Sequence, residues 1–166
     1  MDALFERLAS VATMVEAQQE IVALGDAAIP RLRTLFDGSS RNEWGVSYRE
    51  LGLPLRCGLE IVIRLGSRAK PLESCINAEL PESEVAARAL RALGTLAPSS
   101  VEALVVALEG NANVASEAAL ALVACGQDRS PSVDRAAGRS GEARKWLEIA
   151  RNVRLAPKTS AGNELS

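Results

Sequence analysis

The sequence predicts an all-α chain of about four stacked helical hairpins, and three observations predict it. The first is a recurring punctuation. ValAlaLeuGly ends at Gly25, IleArgLeuGly at Gly66, ArgAlaLeuGly at Gly94 and ValAlaCysGly at Gly126, and a proline follows each after four or five residues, at Pro30, Pro71, Pro98 and Pro131. A helix stop at glycine followed by a proline in the next helix's first turn is the turn chemistry of joined helices. The second is composition: 48% of residues are apolar but only 3% are aromatic, so the apolar content is mostly Ala, Leu and Val. Abundant alanine and leucine favour helix, and alanine lets helices approach closely. The third is the lack of period-two alternation between turn signals, which gives no reason to expect strands.

Taken in order, Leu4, Leu8, Val11, Val15, Gln18 and Val22 make one helical stripe over residues 2–24, with an interruption near Ser10. Gly25 suits a left-handed cap, and Asp26 is placed to cap a helix of about 27–37 that carries Ile29, Leu32, Leu35 and Phe36. Pro54 opens a helix to Leu65 with apolar residues on two sides, Leu55, Leu59, Val62 and Ile63 against Cys57, Ile61 and Leu65. A helix of that kind is buried between neighbours. Ser67 is read as the cap of a helix of about 68–79 with Leu72, Cys75 and Ile76 inward. Residues 82–94 turn Val85, Ala89, Leu90 and Leu93 inward. Ser99-x-x-Glu102 reads as a capping box for about 99–109, and Asn113 as the cap of 114–125. A short helix over 131–138 follows Ser130-Pro131, and a charged one runs from about 141 to 154. The expectation is one helical domain over 1–155 and a frayed, flexible tail over 156–166.

The punctuating glycines are spaced 41, 28 and 32 residues apart between Gly25, Gly66, Gly94 and Gly126. The first step is long because residues 38–52, GSSRNEWGVSYRELG, interrupt it. A near-fixed period of helix pairs marks an α-solenoid, in which each pair buries its apolar stripe against the next. VAARALRALGTLAPSSVEALVVALEG resembles one HEAT-like repeat of the short kind found in phycobilisome-lyase-type proteins: an Ala-rich first helix ending in LG, a turn with Ala and Pro, and a second helix with L-x-x-x-L. GLEIVIRLGSRAKPLESCINAEL and ASEAALALVACGQDRSPSVDRAAG fit the same template. The resemblance spans roughly residues 20–138 and implies a right-handed α-α superhelix of the HEAT or armadillo-like class. The Asp-Pro turn and the Val-Arg opening of first helices common in that family are mostly missing.

Composition closes several catalytic routes. With no histidine in the chain, Ser-His and Cys-His pairs and His-containing zinc sites are excluded. Cys57, Cys75 and Cys125 are odd in number and far apart, so they form no CxxC site. They read as buried free thiols of a reducing, cytoplasmic compartment. No glycine-rich phosphate loop occurs, and no cofactor is expected. Ser67-x-x-Lys70 matches S-x-x-K of serine acylases, but S-D-N and K-T-G companions are missing. No run of apolar residues approaches membrane-spanning length. Residues 1–128 hold 11 Lys/Arg against 17 Asp/Glu, whereas residues 129–166 hold 8 against 4. The repeat body is thus acidic, and Arg31, Arg33 and Lys70 are too few on the second helices for a nucleic-acid groove.

The interruption at 38–52 draws attention instead. Arg41, Trp44, Tyr48 and Arg49 place two large aromatics and two guanidinium groups where the repeat needs none, and Arg31 on the preceding helix joins them. Trp, Tyr and Arg dominate interface hot spots because they bury much area while keeping a polar handle. The competing reading is that Trp44 and Tyr48 fold back to close a gap between hairpins, while Trp146 packs the end of the stack. The sequence therefore suggests a non-catalytic module binding another protein, as an adaptor, inhibitor or immunity-type protein, through a concave face and this loop. The alternatives are a lyase-like or chaperone role implied by the resemblance, and nucleic-acid binding.

Overall fold

Helices make up the computed structural model, which describes residues 3–155. In order they are α1 (Ala3–Leu8), α2 (Met14–Ala23), α3 (Ala28–Phe36), α4 (Leu53–Leu65), α5 (Glu73–Asn77), α6 (Glu84–Ala92), α7 (Pro98–Ala107), α8 (Ala112–Ala124), α9 (Pro131–Arg139) and α10 (Gly141–Leu155), with 3-10 segments at Gly25–Ala27 and Gly66–Leu72. Among the described residues there is no β-strand, only an isolated bridge between Arg41 and Ser47. The all-α expectation holds. The expected tail, 156–166, lies outside the described residues.

The helices lie in two rows. One runs α2, α4, α6, α8, α10, each packed on the next; the other runs α3, α5, α7, α9. The four punctuating glycines all have positive φ, at 56°, 60°, 78° and 70° for Gly25, Gly66, Gly94 and Gly126. There they carry the chain from the first row to the second. Across the other connections sequence neighbours pack on each other: α3 on α4, α5 on α6, α7 on α8 and α9 on α10. Between α3 and α4 the approach depends on Gly58, where a Cβ would come within 2.7 Å of Leu35 Cδ2 and 3.4 Å of Phe36 Cζ. One core of Leu, Val, Ile and Ala runs through both rows, with Phe5, Phe36 and Tyr48 as its large aromatics. Small side chains let neighbouring helices sit close, so the core needs few bulky residues.

Several local expectations are corrected. The stripe through Val11 and Val15 does not face the core: these residues are 73% and 56% exposed, while Phe5, Leu8, Ala17 and Ile21 are buried. The break between α1 and α2 shifts the helical phase. Thr13 Oγ1 donates to the Arg7 carbonyl at 2.8 Å and the Met14 N–H bonds Ser10 at 2.9 Å, which starts α2 in a new register. Asp26 caps nothing, because the 3-10 turn at Gly25–Ala27 runs straight into α3. Ser67 likewise caps nothing. It is exposed within a 3-10 segment, and α5 begins only at Glu73. Asn111, rather than Asn113, caps α8 by accepting the Val114 N–H at 3.0 Å.

The Ser99–Glu102 capping box is absent as well, since α7 starts at Pro98 with Ala97 at the N-cap and no side-chain cap bond. Glu73, reaching across from α5, takes over that task. Its Oε1 accepts the Ala97 N–H at 2.8 Å and the Ser100 hydroxyl at 2.6 Å, and its Oε2 pairs with Lys70 Nζ at 2.7 Å. Burial alone would raise this carboxyl's pKa. The bonds from Lys70, Ser100 and the Ala97 amide more than offset that and hold it below the usual carboxylate value. A buried carboxylate is tolerated only when its oxygens are satisfied in this way.

Candidate protein-binding site

The 38–52 segment joins α3 to α4 and folds as a small hairpin. Asp37, at the end of α3, accepts the Ser39 N–H at 2.8 Å. Hydrogen bonds from the Ser39 hydroxyl and amide lower its pKa. The ladder then closes through Ser40 N–H to Thr34 O at 3.0 Å, Tyr48 N–H to Ser40 O at 3.1 Å and Asn42 N–H to Val46 O at 2.9 Å. Asn42 organises the tip. Its Oδ1 accepts the N–H groups of both Trp44 (3.1 Å) and Val46 (2.9 Å), a turn that asparagine makes readily. Gly45 completes the turn at φ 77°, a backbone region that a residue with a Cβ enters only at a cost.

The structure divides the residues that the sequence singled out. Trp44 stands at the tip with its side chain 72% exposed. Arg41 lies beside it, exposed, and its Nη1 donates to the Gly45 carbonyl at 2.7 Å, bracing the turn that presents the indole. Tyr48, four residues on, is fully buried. Its ring meets Phe5 edge-on, with centroids 5.9 Å apart and planes at 64°, and its hydroxyl donates to Glu6 Oε2 at 2.7 Å. Tyr48 therefore ties α1 to the loop and is not available to a partner in this conformation.

Arg49 is also committed to the fold. Its Nη1 donates to the Phe36 carbonyl at 2.8 Å, at the end of α3, and its Nη2 pairs with Glu79 Oε1 at 2.5 Å. Burial pushes the Glu79 carboxyl up, and the neighbouring Arg49 charge offsets this only in part. Arg31 sits apart, exposed on α3, where it lines an open recess of about 680 Å³ with Leu4, Pro30, Thr34 and Ser40. Two exposed apolar residues that sequence reasoning did not single out, Val46 and Leu51, flank the hairpin. For Val46 the readable signal was its place directly after the turn glycine Gly45.

The groups weighed for catalysis are held in structural roles. Lys70 Nζ donates to the Thr95 carbonyl at 2.6 Å besides pairing with Glu73, so it is no free base for Ser67. Burial raises the thiol pKa of Cys57 and Cys125, which keeps both protonated and weakly nucleophilic. Among the described residues no cluster of three or more His, Cys, Asp or Glu could hold a metal ion, and no helix is long and apolar enough to cross a membrane. No protein-family model, curated protein or solved structure matches the chain.

Proposed function

We propose that this protein is a non-catalytic protein-binding module, a short α-solenoid of the HEAT-like kind that grips another protein with the 38–52 hairpin and the adjoining face of its helices. The observation that carries this reading is Trp44. An indole 72% exposed is held on a turn braced by Asn42, Arg41 and Gly45 rather than on a loose loop. Ordering a flexible loop costs binding energy, so a large apolar side chain on a pre-ordered turn is suited to serve as an anchor. Val46 and Leu51, in the same segment, are exposed apolar residues as well. A right-handed superhelical course with a concave binding face, and an adaptor, inhibitor or immunity-type role, belong to the same proposal. The two-row packing of α2–α10 and the glycine–proline period support it.

The test is capture of partners on immobilised wild-type protein and on Trp44→Ala, followed by titration of each partner found. Truncating a hot-spot residue costs about 2 kcal/mol or more, which is roughly a thirtyfold weaker Kd. Equal affinity of the two proteins for every captured partner would remove Trp44 from the interface and with it this reading.

A further inference from the structure

A second surface lies at the other end of the molecule. Along the row of even-numbered helices, the exposed surface is laced by ion pairs: Arg88 to Glu60 at 3.6 Å between α6 and α4, and Arg91 to Glu117 at 3.2 Å between α6 and α8. At the next junction, between α8 and α10, the character changes. A recess of about 380 Å³ opens there, lined by Leu120, Val123, Ala124, Ala150 and Val153, with Arg91 and Arg154 at its margin. Trp146, Ile149 and Val153 follow at spacings of three and four, which places them along one side of α10. Trp146 is half-buried, while Ile149 is 44% and Val153 60% exposed. This stripe is additional to the buried Ala143, Leu147 and Ala150 that hold α10 in place.

Both charged residues that line the recess, Arg91 and Arg154, are arginines. The guanidinium of Arg154 donates to the Val123 carbonyl at 2.8 Å, and no carboxylate of the described residues pairs with it. Lys145 Nζ sits 5.3 Å from the centre of the Trp146 ring and 3.6 Å from Glu142. Arg91 is balanced by Glu117, and Arg151 by Asp128 at 2.9 Å. Helix α10 as a whole carries Arg144, Lys145, Arg151 and Arg154 against Glu142 and Glu148.

We propose that this recess docks an acidic amphipathic helix of a partner protein, which inserts a leucine- or phenylalanine-sized side chain between α8 and α10 and sets its carboxylates against Arg154 and Arg91. An apolar stripe beside a basic margin selects an acidic helix by charge and rejects a basic one. The recess is concave, which suits an inserted side chain better than the surface of an anionic bilayer. The site shares no residue with the 38–52 hairpin, so it stands or falls separately from the reading above.

The experiment uses the full chain with Trp44→Phe, which leaves Trp146 as the sole tryptophan. Its emission is followed while adding a synthetic helical peptide with leucines at i, i+3 and i+7 and glutamates on the flanks. A matched peptide with lysines for glutamates and phosphatidylserine-containing vesicles are the comparisons. The expected result is a saturable shift with the acidic peptide alone, weakened by added salt. Affinity falls about tenfold or more in Val153→Asp and in Arg154→Gln. Ile149→Glu serves as a second surface variant, and thermal melts confirm that each variant folds. No saturable response, an equal response to the lysine peptide, or a response to vesicles in place of the acidic peptide would each overturn the proposal.

Discussion

The tip and the base of the 38–52 hairpin are built from the same kinds of residue, an aromatic and an arginine, yet they do opposite work. At the tip, Trp44 is exposed and Arg41 donates to the turn that carries it. At the base, Tyr48 is buried against Phe5 and Glu6, and Arg49 spans from the end of α3 to Glu79. The base closes the gap between α1, α3 and α5. The tip adds nothing to that packing. Aromatic and arginine content therefore marks the segment as special, but only the direction of each side chain separates the part that holds the fold from the part free to meet a partner.

That contrast can be broken in order of expected effect. Tyr48→Ala empties a fully buried aromatic site and is expected to cost about 3–5 kcal/mol in urea unfolding. Tyr48→Phe keeps the ring and removes the hydroxyl that bonds Glu6, for a loss of about 1–2 kcal/mol. Arg49→Ala strands Glu79. A fully buried pair would cost about 3–5 kcal/mol, but the Arg49 side chain is 37% exposed, so about 1–3 kcal/mol is expected once solvent screening is counted. Adding Glu79→Gln to Arg49→Ala should recover part of that loss, and failure to do so in a double-mutant cycle would show the two groups to be uncoupled. Trp44→Ala is expected to move stability by no more than about 0.5 kcal/mol. A drop of several kcal/mol in Trp44→Ala would erase the contrast.

Acid titration sharpens it. Glu79, at the base, has a folded pKa raised above its unfolded value. Its contribution is fully present below the ordinary carboxylate range and is lost as pH rises through the folded value. Glu73, in the α5–α7 network, has a lowered one. Its contribution is present above the ordinary range and is lost as pH falls through the depressed value. Denaturation followed across pH should therefore show Glu79→Gln and Glu73→Gln flattening opposite arms of the stability profile, while Trp44→Ala leaves both arms in place.

Much of the helical order was legible in local chemistry. The glycine signals marked four turns, and Pro30, Pro98 and Pro131 lie in first helical turns while Pro71 falls inside a 3-10 segment, because left-handed glycine and first-turn proline are properties of single residues. The two-sided apolar pattern of Leu53–Leu65 correctly marked a helix enclosed on most sides. Phase and caps were harder to read. A stripe through Val11 and Val15 assumes one continuous helix, but the bonds from Thr13 to Arg7 and from Met14 to Ser10 restart the helix in a new phase. The cap of α7 was misread at Ser99 because the actual acceptor, Glu73, lies 24 residues away from the Ala97 amide it serves.

The candidate site divided along the same line. The sequence located the hairpin as an interruption of the repeat and named Arg41, Trp44, Tyr48 and Arg49 within it, since a broken period and unusual residue types are visible in one dimension. Which aromatic points outward was decided by partners far along the chain: Phe5 and Glu6 for Tyr48, Phe36 and Glu79 for Arg49. The recess at α8 and α10 was hidden for a similar reason, because Leu120 and Val153 become one surface only when the two helices meet. By itself the sequence determined an all-helical chain, its turns and the place where its rhythm fails, because these follow from backbone preference and short-range periodicity. The tertiary structure alone decided which apolar side chains were left on the surface, because burial depends on contacts between segments that are distant in sequence.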